Sequence, residues 1–163
     1  MIKTVFIGIG SNLGERMDNL DLAVSRIGGT TGIIEAKSSV YETEPWGFET
    51  ENKFLNMVVK VNTNLETGQL LETLLGIEER MGRIRENKDY SSRIIDLDIL
   101  FYGDLIIEES GLRIPHPHIH NRRFVLVPLA EIAPEYIHPV LNKSIISLLR
   151  QCSDKGHVIL YKP

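Results

Sequence analysis

A chain of 163 residues is long enough to bury one proper hydrophobic core and short for anything beyond a single domain, here expected to span 1–163. Its 22 acidic residues outnumber 18 basic ones, a net charge of −4, which argues against a protein that coats nucleic acid. The lone cysteine, Cys152, excludes an internal disulfide and a cysteine-built zinc site, and no apolar run reaches membrane-spanning length.

Residues 2–10 read as a buried strand closing at Gly8-Ile9-Gly10. No signal-peptide pattern precedes them, so a reducing cytoplasm is expected. Ser11-Asn12 offers a cap for a helix through Leu20, Ala23, Val24 and Ile27 that ends at Gly28-Gly29. Ile33 to Thr43 reads as a second strand. A polar loop containing Pro45 and Gly47 then leads to a third, Phe54 to Thr63. Apolar residues at 70, 71, 74, 75, 77 and 81 have helical spacing, which predicts a helix over 66–82.

A strand follows from Arg93 to Phe101, with a hairpin through Gly103-Asp104 to Leu105-Ile106-Ile107. Pro115 and Pro117 keep the next segment extended. Asn121 is a candidate cap for a short helix as far as Pro128. A further helix over 144–151 and a strand over 157–161 complete the chain. The first six elements run β-α-β-β-α-β, the order of an α+β, ferredoxin-like split βαβ core. In it an antiparallel sheet carries helices on one side.

The strand 93–101 carries the strongest chemical signal. Successive side chains alternate, so Ile95, Leu97, Ile99 and Phe101 share an apolar face while Asp96 and Asp98 share the other. Two half-buried carboxylates about 7 Å apart repel each other and lose water, at about 3.3 Å of rise per residue. Either arginines neutralise them or a cation does. All-oxygen ligation by few protein groups suits Mg²⁺, which takes phosphate oxygens and water for the rest of its shell.

Cations cluster nearby. Arg80, Arg83, Arg85, Lys88 and Arg93 crowd into the window before that strand. Arg80 reads as a helix-end charge, whereas Arg83, Arg85 and Arg93 are placed to meet phosphate bidentately. His116, His118, His120, Arg122 and Arg123 form a second group. His116 and Arg122 are phosphate candidates there, and His118 and His120 read as surface residues. Asn56 sits in an apolar strand with Phe54 on the same face. Its amide either bonds local backbone or reads the edge of a heterocycle stacked on the aromatic ring. Gly8-x-Gly10-x-x-x-Gly14 with Glu35 is one residue too long for a dinucleotide fingerprint and reads as a tight turn.

Taken together, several segments resemble the 6-hydroxymethyl-7,8-dihydropterin pyrophosphokinase family of folate biosynthesis. They are Ile9-Gly10-Ser11-Asn12-Leu13-Gly14, Tyr41 to Gly47, Phe54-Leu55-Asn56 and Gly82-Arg83-Ile84-Arg85. Arg93-Ile94-Ile95-Asp96-Leu97-Asp98, Ile114-Pro115-His116-Pro117 and Asn121 to Leu129 complete the set. The resemblance implies transfer of pyrophosphate from ATP to the pterin hydroxymethyl group with release of AMP. It implies that Asp96 and Asp98 hold two Mg²⁺ ions and act in catalysis with Arg83 and Arg93. ATP would be held by Arg83, Arg85, Arg93, His116 and Arg122, with main chain around Ile99 and Arg113 meeting the adenine. The pterin would lie between Phe54 and Phe124, bonded to Asn56 and to backbone at Thr43 and Trp46. Tyr90 and Ser91 depart from the residues usual in that family. Expected partners are these two substrates alone, with no nucleic acid, no membrane and a monomeric chain. Two readings stand beside this one: a metal-dependent nucleotidyltransferase acting on nucleic acid, and a non-catalytic ligand-binding module.

Overall fold

The computed structural model describes residues 1–46, 51–83 and 92–163. Strand β1 (Lys3–Ser11) runs antiparallel between β4 (Phe54–Thr63) and β5 (Asp96–Tyr102). Both of its edges are paired and both of its faces covered, so Val5, Phe6, Ile7 and Ile9 are all essentially inaccessible. This is why the segment reads as a continuous apolar run rather than an alternating one. Strands β2 (Ile33–Lys37) and β3 (Tyr41–Thr43) both pair with β4, and β8 (Val158–Leu160) adds to the outer edge of β3. The order β5-β1-β4-β3-β8 is the ferredoxin-like α+β arrangement with one extra strand.

The expected strand over 33–43 is two strands. At Ser38 the backbone steps out of the ladder and the side chain takes over. Ser38 Oγ accepts the Val58 N–H at 2.9 Å, and the Ser38 N–H donates to the Val58 carbonyl at 2.9 Å. The first helix, α1 (Arg16–Thr30), starts later than Ser11-Asn12 would place it, because Asn12 bonds elsewhere. It also runs past Gly28-Gly29, stopping before Gly32. A Cβ at Gly32 would fall 2.1 Å from the Asn62 carbonyl oxygen, so only glycine allows the chain to pass β4 there. Helix α2 (Thr67–Arg80) is close to expectation, its start held by the Gln69 side chain accepting the Glu66 N–H at 3.1 Å.

Helices cover both faces of the sheet, where one was expected. α1 and α2 bury Leu20, Ile27, Leu70, Leu74 and Ile77 against one face. α3 (Arg123–Ile132) and α4 (Ile145–Gln151) pack Leu126, Leu129 and Ile145 against Phe6 and Val58 on the other. α3 continues through Pro128 to Ile132 rather than stopping there. The hairpin pairing also differs. Gly103 turns the chain with φ +54°, but β6 (Ile107–Glu109) then pairs with β7 (Leu112–Ile114) across Ser110-Gly111 rather than with β5.

Phe101 does not share a face with Leu97 and Ile99. Phe6 pairs with Phe101 but Ile7 pairs with Ile99, so Leu100 is inserted as a bulge and Phe101 turns to the α3 side. There its ring meets Phe6 at 6.1 Å and Tyr136 at 4.9 Å, centroid to centroid. The bulge thus anchors the second layer just beyond the two aspartates. Truncation by Phe101→Ala is expected to lower unfolding stability by about 3–5 kcal/mol, read from urea denaturation midpoints at unchanged slope.

Candidate active site

Where β4, β1 and β5 cross beneath the start of α3, a single row of side chains crosses three strands. Gly10 on β1 is the register partner of Asn56 on β4 and of Asp96 on β5, and Gly8 is the partner of Asp98. Register partners share a face, so Asn56 and the aspartates look into the same space across a strip of bare backbone. Two strand spacings, about 10 Å, separate the Asn56 and Asp96 main chains. A cavity of about 740 Å³ opens over this row.

Arginines gather at its acidic end. Arg83 Nη1 lies 2.8 Å from Asp96 Oδ1 and 2.6 Å from Glu78 Oε2, and Arg93 Nη1 lies 3.3 Å from Asp96 Oδ2. Burial works against the charge of Arg83, but Asp96 and Glu78 outweigh it and hold the guanidinium more firmly protonated. Asp98 is different. Burial and the adjacent Asp96 push its carboxyl up to about 8, which Arg122 and Arg93 offset only in part. Asp96 is therefore bridged by arginine on both oxygens, while the Asp98 carboxyl is held well above the usual carboxylate range.

The opposite end is aromatic. The Arg122 guanidinium stacks 4.4 Å from the Trp46 ring centroid and 5.7 Å from that of Phe124. Arg93 lies 6.0 Å from the Phe54 ring centroid. Asn56 Nδ2 donates to Thr43 Oγ1 at 2.6 Å, which tethers the amide in a pocket where both residues are buried. Between the two ends stands His116. Burial, with Arg122 and His118 adding to it, lowers its pKa to about 4. Its Nδ1 accepts the His118 backbone N–H at 3.2 Å, so the neutral ring carries its proton on Nε2 as a donor.

The structure brings Thr43, Trp46, Phe54, Asn56, Arg83, Arg93, Asp96, Asp98, His116, Arg122 and Phe124 to this one cavity. Ile99 and Arg113 are not in its lining. The Ile99 side chain packs on the face of the sheet covered by α1 and α2, and Arg113 reaches Glu108 at 2.9 Å on the surface. Arg85, Tyr90 and Ser91 lie outside the described residues. His118, expected on the surface, lines the cavity with its ring 5.6 Å from Trp46.

A family model described as 7,8-dihydro-6-hydroxymethylpterin-pyrophosphokinase (HPPK) matches residues 6–134, which contain this whole arrangement. The chain belongs to that family. It is 42% identical to a 2-amino-4-hydroxy-6-hydroxymethyldihydropteridine pyrophosphokinase of Synechocystis over 146 residues, 89% of this chain and 74% of the relative. A protein of the same description from Aquifex aeolicus is 39% identical over 144 residues, 88% of this chain and 89% of the relative. Among solved structures, wild-type Plasmodium falciparum HPPK-DHPS superimposes with a TM-score of 0.77 at 19% identity. That match covers 93% of this chain but 45% of the larger one, and it supports the fold.

Within this pyrophosphokinase fold, two supporting residues had weaker sequence signals. Glu78 is buried, and its Oε2 accepts both the Arg83 guanidinium and the Leu97 N–H at 2.8 Å. It interrupts the apolar stripe Leu70, Leu74, Ile77 of α2, and an acid on a core-facing stripe is the signal that points to it. Asn12 is the second. Its backbone N–H donates to the Arg93 carbonyl at 3.0 Å while its Oδ1 accepts the Arg93 N–H at 2.6 Å. Glu78→Ala leaves the Leu97 N–H and the Arg83 charge without their shared acceptor. It is expected to destabilise the fold by about 3 kcal/mol in denaturant unfolding, and Glu78→Gln, which keeps an oxygen for Leu97, by less.

Proposed function

We propose that this chain transfers pyrophosphate from ATP to the hydroxymethyl group of 6-hydroxymethyl-7,8-dihydropterin, releasing AMP, in tetrahydrofolate biosynthesis. The observation that carries the reading is the facing of two ends of one cavity. An amide and aromatic rings suited to a flat heterocycle look across Gly10 at a carboxylate pair ringed by arginines. Family membership gives the same reaction class.

In this reading the pterin lies between Phe54 and Phe124, with its edge on Asn56 and on main chain at Thr43 and Trp46. The triphosphate extends toward β5, met by Arg83, Arg93 and Arg122, with the Nε2–H of His116 donating to a phosphate oxygen. Arg85 belongs to the same phosphate set by its place in the family motif. Adenine takes the rim near Ile99 and Arg113. Gly111, two residues before Arg113, is part of the cavity wall, which supports that placement. The pterin hydroxymethyl oxygen attacks the β-phosphorus, and the bond from that phosphorus to the α-phosphate bridging oxygen breaks, so AMP leaves. The protein's work is positioning and charge balance: it aligns nucleophile and phosphorus across the glycine strip and spreads arginine charge over the phosphates.

Asp96 and Asp98 offer hard oxygen ligands. Among the described residues no group of three or more acidic, histidine or cysteine side chains gathers at one point. That donor set fits Mg²⁺, which keeps waters and accepts phosphate oxygens, and we assign two such ions to it. Held by Asp96 and Asp98, such ions would supply positive charge against the phosphate oxygens during transfer. The raised Asp98 carboxyl has the same meaning: it is an acid with too little positive charge around it. The 163 residues act as one catalytic domain, supported by the return of β8 to β3. We read the working form as a monomer and its compartment as the reducing cytoplasm, with which the free, buried thiol of Cys152 is compatible.

Incubation with ATP, Mg²⁺ and the pterin is expected to yield AMP in step with pterin pyrophosphate on anion-exchange chromatography; ADP as the nucleotide product would refute the assignment. Asp96→Asn and Asp98→Asn are expected to fold yet lose turnover by about a hundredfold or more. Asp98 also sets a pH dependence. Its folded value of about 8 lies above the usual 3.8, so the folded chain holds a proton that the unfolded chain gives up. The ligand-free protein therefore loses stability as pH rises between those values. Metal binding must expel that proton, so Mg²⁺ with an ATP analogue should raise the melting temperature more near pH 9 than near about pH 6. Asp98→Asn should flatten that difference.

A further inference from the structure

Gly10 lies on β1 between Asn56 of β4 and Asp96 of β5, the two strands that line the cavity, and its glycine is not there for conformation. Its φ is not among the positive values found at Gly14, Gly82, Gly103 and Gly111, so any residue could adopt its backbone. Space is what it provides. A Cβ built on Gly10 would stand 2.5 Å from Asn56 Oδ1, and 3.6 Å from Asn56 Cγ and from Phe54 Cδ1. Carbon and oxygen do not approach that closely without one of them moving. Asn56 is the short side chain that would have to move, and it is tethered. Its Nδ2 is committed to Thr43 Oγ1 at 2.6 Å, and both residues are buried. Swinging Oδ1 away from Gly10 turns the whole amide and breaks that bond.

Gly8 is an internal contrast. It lies on the same strand and the same face, two residues away, opposite Asp98. The nearest atoms to a Cβ there would be those of the Leu100 side chain, from 3.5 Å, an ordinary contact. Packing therefore demands glycine at position 10 and merely accepts it at position 8.

We propose that Gly10 is a positioning residue for pterin recognition. Its missing side chain is the space in which the Asn56 amide lies across β1, and the bond to Thr43 Oγ1 tethers that amide there. Gly10 and Thr43 together aim one acceptor and one remaining N–H at the heterocycle edge. This rests on the pterin reading of the pocket. It adds to that reading a residue that need touch no substrate atom, and it predicts where the discrimination fails: at the amide's orientation rather than at the phosphates.

The test is a double-mutant cycle on pterin affinity. It is read from pterin fluorescence with Mg²⁺ and a nonhydrolysable ATP analogue present, beside the affinity of the analogue alone. Gly10→Ala is expected to weaken pterin binding about tenfold or more, the loss of one well-aligned hydrogen bond, and to leave analogue binding within about twofold. Gly8→Ala should bind pterin as the unmodified chain does. In the Asn56→Ala background the clash is gone, so adding Gly10→Ala should cost no more than about twofold further. Wild-type affinity in Gly10→Ala would overturn the inference. So would losses that multiply in the double variant, because the methyl would then be obstructing the pterin itself. Should Gly10→Ala alone fail to fold, the double variant must fold, since its space is vacated; its failure would also overturn the inference. An unmodified chain that binds no pterin would instead remove the reading of the pocket.

Discussion

Two carboxylates two residues apart on one strand face are the constraint that the surrounding structure answers. Neither can be hidden cheaply, and β5 itself carries no cation; the nearest along the chain is Arg93, before the strand begins. The other counter-charges come from the segment after α2, in Arg83, and from the turn before α3, in Arg122. Three connections far apart in sequence are thereby drawn to one point. The cancellation is uneven, because Asp96 is bridged on both oxygens while Asp98 keeps a proton up to about 8. Such a site has room for positive charge beside Asp98, while arginines at its rim can trade a carboxylate for a phosphate. A polyanion arriving with its own divalent cations satisfies both demands at once, which neither a bare anion nor a bare cation does.

The strand order makes this arrangement possible. In a ferredoxin-like sheet the first strand is central, so β4 and β5 become its two neighbours although α2 separates them in sequence. Groups that recognise a ring can then reside on one neighbour and charged groups on the other, with the distance between them set by strand spacing rather than by any loop. The second helical layer completes the pocket. α3 stands on Phe6 and Leu100, and the bulge that turns Phe101 inward fastens the sheet beneath it through Tyr136. Because Arg122 and Phe124 sit at the start of α3, the packing of that layer also fixes the upper wall of the site.

Much of this was legible in the residues. The alternation through Asp96 and Asp98, the arginine window and the pairing of Phe54 with Asn56 are local patterns, and local patterns survive folding. What sequence periodicity missed depends on pairing. The break at Ser38 is invisible until a side-chain hydroxyl is seen substituting in the ladder. The Leu100 bulge reverses Phe101 only because β1 contributes one residue fewer at that point. The second helical layer escaped because βαββαβ order says nothing of where later helices dock. His118 looked like a surface residue because its neighbours are polar, yet the turn Ile119–Asn121 folds it back toward Trp46. Gly10 reads as part of a glycine-bearing turn until its strand partners on both sides are known.

Asn12 carries the same lesson into the site's mechanics. It looks like a helix cap and is instead a joint. Its Oδ1 and backbone N–H clasp both main-chain groups of Arg93, and its Nδ2 donates to Ser92 Oγ at 3.0 Å and to the Asn52 carbonyl at 3.2 Å. Asn52 leads into the strand bearing Phe54 and Asn56, and Arg93 leads into the strand bearing Asp96 and Asp98. One buried amide at the end of β1 therefore sets the entry of both neighbouring strands against each other. An amide can do this because it donates and accepts in one plane; an aspartate could keep the Arg93 N–H but would place two acceptors against the Asn52 carbonyl. The ring-recognising and charge-bearing halves of the cavity are thus registered twice, by the strand ladder along β1 and by a single side chain at its end. This makes their separation a property of the fold rather than of the connections between the strands.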